Sequence, residues 1–360
     1  MTTHASVTTA STPGGIAIVQ LRGDAVEATM HAITGRADWP VGRLRHVDFA
    51  GIDDGLAVLL RDGDDAVAQL MPHGGPRIVQ RLLDRLRELG VAYDRSPDPT
   101  AVYPEAGSPI EADVLATVAR AASPAAVDLL AAQPGVWRER LARGPLGTEH
   151  RDAIARRSAR LDRLIDPPTV VVVGRPNVGK STLTNRLLGR AASVVADLPG
   201  TTRDWVASLA ELLPVGADAH QGVAVRWLDT PGLRAAAEAD PIERRAVELA
   251  RRVVADAEVL IAMRDPSTGW PDTADLPRSP DLWVCNKVDG ARAPADAGGR
   301  RPDAAIPLSA AHGRGVDRLS HRVLEQLGLA AVDRAAAWAF SPRLRAVLRD
   351  PSADLHGYLG

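Results

Sequence analysis

The stretch "VVVVGRPNVGKSTLTNRLLG", Val170 to Gly189, constrains the fold more than any other part of the chain. Four consecutive valines read as a buried strand. The loop after them fits G-x-x-x-x-G-K-[ST] through Gly174, Gly179, Lys180 and Ser181, and a helical pattern follows. The two glycines let the backbone curl so that its N–H groups face one point, and the positive end of the helix faces the same point, which makes a phosphate cradle. Asn177, Val178 and Thr182 line it. Lys180 is one of only two lysines in a chain that otherwise uses arginine for positive charge. A compact ammonium on a flexible stem reaches phosphates that a planar guanidinium is too bulky to approach. The Ser181 hydroxyl is a candidate Mg²⁺ ligand.

The second lysine, Lys287, lies in "NKVD", Asn286 to Asp289, about 100 residues further on and directly after the apolar "DLWVC". Asp289 can accept hydrogen bonds from the N1–H and exocyclic amine of guanine, the Asn286 amide can donate to N7, and the Lys287 stem can lie along the base plane. Adenine lacks both donors that Asp289 would read. Between these two segments, "WLDTPG" puts Asp229 at a strand end, where it would hold Mg²⁺ through water, with the Gly232 N–H facing a γ-phosphate. Thr201 and Thr202, in "GTTRD", are candidates for sensing that phosphate, Thr202 through the metal. Ser309 and Ala310, in "PLSAAHGRG", offer backbone amides to a guanine carbonyl. Five such elements in this order imply an α/β domain over residues 168–330 that binds and hydrolyses GTP.

The flanking text is less specific. "IAIVQL" (16–21) and "LAVLL" (56–60) look like strands, and "PRIVQRLLDRLRELG" (76–90) like an amphipathic helix closed by Gly90. This predicts a small α+β domain over 1–95. The proline-rich "SPDPTAVYPEAGS" marks a boundary, and a helical linker is expected over 96–167, with Ser123-Pro124 starting a helix that "QPG" at 133–135 ends. From Arg138 to Arg163 eight arginines stand against four acids, read as a solvated helix face in preference to an RNA patch. Residues 331–360 are expected to be a helical remnant. The net charge of −2 gives no global attraction to nucleic acid, and no run of about 18 apolar residues marks a membrane span. The single cysteine, Cys285, suits strand packing in a reducing cytoplasm, and His73 reads as a turn residue.

The phosphate loop and the switch text "VVADLPGTTRD" resemble the tRNA-modification GTPase family (MnmE, also called TrmE), and also the ribosome-assembly GTPases Der and Era. "STPGGIAIVQLRG" and "PHGGPRIVQRLLDRLRELG" are similar to the first family's N-terminal dimerisation and folate-binding domain, and "ADVLATVARAASPAAVDLLAAQ" less closely to the start of its helical domain. The resemblance implies a P-loop GTPase domain with a small N-terminal α+β domain and a reduced helical domain. It implies a homodimer, a tRNA and a tRNA-modifying partner enzyme. It also implies K⁺ held by the Asn177 side chain and the backbone around Ala196 and Leu198. Leucine follows Gly232, so water must be oriented elsewhere. "EADPIER" places that carboxylate on Glu238, with Asp240 as runner-up and Arg175 or Arg203 as a competing finger. Three departures limit the carry-over. Gln20 and Gln69 replace the arginine and glutamate that hold folate, the span 135–166 is too short for the family's long helices, and the terminal cysteine motif is missing.

Overall fold

The computed structural model describes residues 3–9, 15–95, 97–103, 105–189, 195–196, 207–214, 216, 221–229, 241–289, 305–350 and 353–359. The chain forms two compact units, Met1–Arg120 with Ser341–Gly360, and Ala121–Phe340. These breaks differ from the expected boundaries near 95, 167 and 330.

In the first unit, β1 (His4–Val7), β2 (Val19–Gly23), α1 (Val26–Thr34), β3 (Arg45–Asp48), β4 (Asp54–Arg61), β5 (Ala66–Met71), α2 (Pro76–Glu88) and β6 (Ala92–Tyr93) precede α3 (Pro99–Val102) and α4 (Pro109–Val118). Among the described residues the strands form one sheet in the order β3-β4-β5-β2-β1-β6, antiparallel except for β1 with β6. Leu21, Leu59 and Leu70 from the sheet pack with Met30 of α1 and Leu82 and Leu86 of α2, which is the apolar stripe expected of that helix. Gly90 takes φ +84° just beyond α2, where a side chain would be strained. The strand expected over 16–21 is displaced to β2. Ile16 makes only an isolated bridge to His73, and regular pairing starts at Val19.

The second unit contains α5 (Pro124–Ala142), α6 (Thr148–Leu161), β7 (Thr169–Gly174), α7 (Lys180–Leu188), β8 (Val195–Ala196), β9 (Ala207–Leu212), β10 (Val223–Asp229), α8 (Pro241–Asp256), β11 (Val259–Arg264), β12 (Leu282–Cys285), β13 (Ile306–Pro307) and α9 (Val316–Leu327). Its sheet runs β13-β12-β11-β7-β10-β9-β8, parallel from β13 to β10. The central strand is buried on both faces, which is why Val170–Val173 are an unbroken apolar run with no alternation.

The segment expected as a separate helical linker is divided. Ser123 starts α5, but its hydroxyl does not cap the helix; it accepts from the Ala224 N–H at 3.0 Å, and the Ala125 N–H donates to the Gly222 carbonyl at 3.1 Å. These bonds attach α5 to β10, so residues 121–167 belong with the second unit. Residues 96–120 stay with the first.

The proline of "QPG" does not end α5, which continues to Ala142 with Pro134 inside it. Tertiary bonds hold it together there. The buried Gln133 amide donates to Leu129 O and Ala336 O and accepts from the Trp338 N–H at 2.7 Å; one turn on, the Trp137 indole donates to Trp338 O at 3.1 Å. Arginines of the 138–163 run do similar work. Arg157 donates to Ala337 O at 2.5 Å and Arg163 to Leu327 O at 2.7 Å, so this run is in part internal scaffolding.

The last helices, α10 (Pro342–Arg349) and α11 (Leu355–Leu359), belong to the first unit. Ser341 Oγ donates to Asp113 of α4 at 2.5 Å, and the Tyr358 hydroxyl donates to the same carboxylate. Burial and that carboxylate together push the Tyr358 phenol far above its ordinary value. The expected remnant at 331–360 is therefore split at 340. Among the described residues no helix is long and apolar enough to cross a membrane.

Gln133→Ala leaves the Trp338 N–H buried and unpaired, a cost of about 1–3 kcal/mol. Its thermal unfolding midpoint should fall by several degrees, read by circular dichroism; an unchanged midpoint would mean that the bridge is not what carries α5 past Pro134.

Candidate functional site

In an open parallel sheet, ligands bind outside the carboxyl ends of the strands. The loops after β7, β12 and β13 gather there with the carboxyl end of β10. The loop after β7 needs both its glycines for reasons of space. A Cβ on Gly174 would lie 2.3 Å from the Met263 carbonyl of the neighbouring strand, and one on Gly179 would lie 2.2 Å from the Asn286 amide nitrogen. Gly179 also takes φ +96°, and Asn177 takes φ +62°, so the loop holds two left-handed turns in three residues. Lys180 then starts α7, with Ser181 and Thr182 in its first turn. The Lys180 ammonium is buried and donates to Gly174 O and Arg175 O, both at 3.2 Å. Ser181 Oγ donates to Asp229 Oδ2 at 2.5 Å, which brings both candidate Mg²⁺ ligands together at the ends of α7 and β10.

The "NKVD" turn closes the opposite wall. The Asn286 side chain is buried; its nitrogen donates to Val178 O at 2.8 Å and its oxygen accepts from the Ala310 N–H at 2.9 Å. One amide thus joins the loops after β7, β12 and β13. Lys287 sits at φ +60° and donates to Asn177 O at 2.6 Å and Asp265 Oδ2 at 2.7 Å. Asp289 pairs with His312 Nδ1 at 3.1 Å. From α7, Arg186 donates to Ala310 O at 3.1 Å and to Ala311 O, fixing the Ser309–Ala310 turn from behind.

Residues 169–287 match the sequence model of the 50S ribosome-binding GTPase family. Nearly the whole chain is similar to the tRNA modification GTPase MnmE of Synechococcus sp. (strain CC9605), at 32% identity over 389 residues, 92% of this chain and 83% of that one. The MnmE of Parvibaculum lavamentivorans is 32% identical over 405 residues, 99% of this chain and 88% of that one. The chain belongs to the MnmE family. It is accordingly a GTP hydrolase, built as a P-loop α/β domain with a small N-terminal α+β domain. Among solved structures, Era in complex with MgGDPNP and a 16S ribosomal RNA segment is similar over 44% of this chain and 56% of that one, at 27% identity and a TM-score of 0.32.

Within this MnmE-family chain, Asn177, Val178, Gly179, Lys180, Ser181, Thr182, Asp229, Asn286, Lys287, Asp289, Ser309 and Ala310 stand around one rim of the sheet. Ala196 pairs with Ala207 across β8 and β9. Leu198, Thr201, Thr202, Arg203, Gly232, Glu238 and Asp240 lie outside the described residues.

Burial pushes the Lys180 ammonium below the ordinary lysine range, and the Asp229 carboxylate opposes that shift. A positive charge held in a partly dry pocket is one whose field a phosphate would feel strongly. Asp265 goes the other way. Its burial favours the neutral form, but hydrogen bonds from Lys287 and Ser267 outweigh that and hold it at about 2.

Three residues of the rim were not singled out from the sequence. Asp265 directly follows the apolar strand β11, much as Asp229 ends β10, and that acid at a strand end was the available signal. Arg186 and His312 had none, because their roles arise from the loop that folds against them.

Gly179→Ala should bring a methyl onto Asn286 at a left-handed position and weaken GDP binding by at least roughly tenfold; isothermal titration showing wild-type affinity would contradict the close approach. Asp265 has a depressed folded value, so its stabilisation is present above the unfolded carboxylate value of about 3.9 and is lost as pH falls through about 2. The acid limb of the unfolding curve should therefore be shallower in Asp265→Asn than in wild type between about pH 4 and 2.

Proposed function

We propose that this chain binds GTP with Mg²⁺ on the rim formed by the loops after β7, β12 and β13 and the carboxyl end of β10, and hydrolyses it in a K⁺-stimulated reaction within a homodimer. The observation that carries the reading is the Asn286 side chain, which ties the phosphate loop to the two base loops through Val178 O and the Ala310 N–H. A pocket so joined aligns a triphosphate with a purine.

In this reading the backbone of Asn177 to Ser181 and the Lys180 ammonium hold the β- and γ-phosphates, and Asp289 reads the guanine edge. Ser181 and Asp229 are already adjacent and fit Mg²⁺, with Thr202 as a further ligand. The metal supplies charge neutralisation on the phosphate oxygens when bound. Lys287 turns its ammonium to Asn177 O and Asp265, which leaves its apolar stem to face the base. The exposed Asn177 side chain is the candidate K⁺ ligand, with the backbone of Ala196 and Leu198. Glu238 is the carboxylate that orients water; Asp240, or Arg175 or Arg203 in place of K⁺, are the alternatives.

The GTPase is expected to take part in tRNA modification, as the name of its MnmE relatives states for them, and to do so with a tRNA-modifying partner enzyme. Ribosomal RNA is the second reading, favoured by the match of residues 169–287 to a ribosome-binding GTPase family. A GTP switch for another protein is the third.

At Gln20 and Gln69 the N-terminal unit lacks the charged pair with which the family holds folate. Gln20 is buried, donates to Val102 O at 3.1 Å and Ala101 O at 3.3 Å, and accepts from Gln69 at 3.3 Å. The amides satisfy each other and the backbone. The cavity beside them, about 360 Å³, has Glu105 as the only charge among its described lining residues, and so offers an anionic cofactor no cation.

Turnover should be roughly tenfold or more faster in KCl than in NaCl. Glu238→Ala should bind GTP like wild type with kcat lowered on the order of a hundredfold, and unchanged kcat would move the role to Asp240 or an arginine. Loss of tRNA wobble-uridine modification on gene deletion supports the first biological reading; ribosomal particles copurifying with the protein support the second.

A further inference from the structure

We propose that His312 is a positioning residue for guanine recognition, acting through the carboxylate of Asp289. This deepens the nucleotide site described above and rests on Asp289 as the residue that reads the base.

A carboxylate presents four lone-pair directions on two oxygens. Guanine would use one on each oxygen, through N1–H and the exocyclic N–H, so recognition needs the carboxylate plane held at one angle. Nothing within "NKVD" holds it. Asn286 and Lys287 spend their side chains on Val178, Ala310, Asn177 and Asp265, and none of these bonds reaches Asp289.

The restraint comes from the loop after β13. His312 Nδ1 lies 3.1 Å from Asp289 Oδ2 and 3.1 Å from Ser309 Oγ. Only a ring protonated at Nδ1 can donate to a carboxylate, so the Nδ1–H tautomer, or the imidazolium, is the form in place. The Ser309 hydroxyl accepts from the His312 N–H at 3.3 Å and donates to Asp289. That hydrogen bond lowers the Asp289 carboxyl most, burial opposes it, and the hydrogen bond and charge of His312 with the charge of Arg314 leave the group below its ordinary range. The ionised form is the one that accepts two donors from a base.

The loop carrying His312 is itself rigid. The Ser309 N–H donates to Arg314 O at 2.9 Å, the Gly313 N–H to Ser309 O at 2.8 Å, and Gly313 and Gly315 both take left-handed φ. Ser309 is buried, and Arg186 holds the next two carbonyls. His312 thus reaches Asp289 through Oδ2 from a fixed base, and Oδ1 and the second lone pair of Oδ2 remain for the purine.

The test uses the full chain and two probes, GDP and inosine 5′-diphosphate, which keeps N1–H but lacks the exocyclic amine. Freeing the carboxylate harms a two-point contact more than a one-point contact. His312→Ala should weaken GDP binding about fivefold, with a smaller loss for the inosine nucleotide, so the ratio of the two affinities shrinks. His312→Asn places an amide N–H where Nδ1–H was and should restore the ratio. Equal losses for both nucleotides, or no loss, in His312→Ala would overturn the proposal, as would failure of His312→Asn to restore. Asp289→Ala is the separate control: if it leaves the preference for GDP over ADP intact, the base-reading role of Asp289 fails, whatever the His312 variants show.

Discussion

The Asn286 side chain is the interaction on which the nucleotide rim depends. It is one amide, buried, with a donor spent on the phosphate loop and an acceptor spent on the loop after β13. An amide can do this because it donates and accepts in the same plane; a carboxylate could not satisfy Val178 O, and an ammonium could not accept from Ala310. The close approach it requires excludes any side chain at Gly179. Two segments about 100 residues apart are therefore constrained as one object, and the local backbone conformations follow, including the left-handed Asn177 and Lys287.

A second layer stiffens that rim from outside. Arg186 bonds the carbonyls of Ala310 and Ala311, and Asp265 anchors Lys287. Trp227 of β10 donates to Thr184 of α7, so the strand that ends in Asp229 is tied to the helix that begins at Lys180. Arginine is used the same way elsewhere. Arg157 and Arg163 end on buried backbone carbonyls, where a planar guanidinium can donate in several directions at once. A chain nearly free of lysine places its two ammonium groups at the rim, and uses arginine for packing and surface pairs.

The N-terminal unit follows a different logic. Its sheet and two helices form the small α+β domain expected from the sequence, and Gln20 and Gln69 make a neutral hydrogen-bonded pair closed by the backbone of α3. The C-terminal segment is attached to the same unit through the buried Asp113, whose partners Ser341 and Tyr358 come from more than 200 residues away in sequence.

The sequence by itself determined the P-loop domain, the rim residues from Asn177 to Ser181 with Asp229, Asn286, Lys287, Asp289, Ser309 and Ala310, and the amphipathic helix ending before Gly90. Those features are local. A motif, a periodicity or a strand-end acid specifies backbone geometry within a few residues, and short-range sterics enforce it. Only the tertiary structure decided that α5 runs through Pro134, that Ser123 bonds β10 in place of its own helix, and that the expected linker is shared between two units. The same holds for Arg186 and His312. Each of these depends on a partner distant in sequence, where burial and hydrogen-bond satisfaction outweigh the local propensity that a linear reading can see.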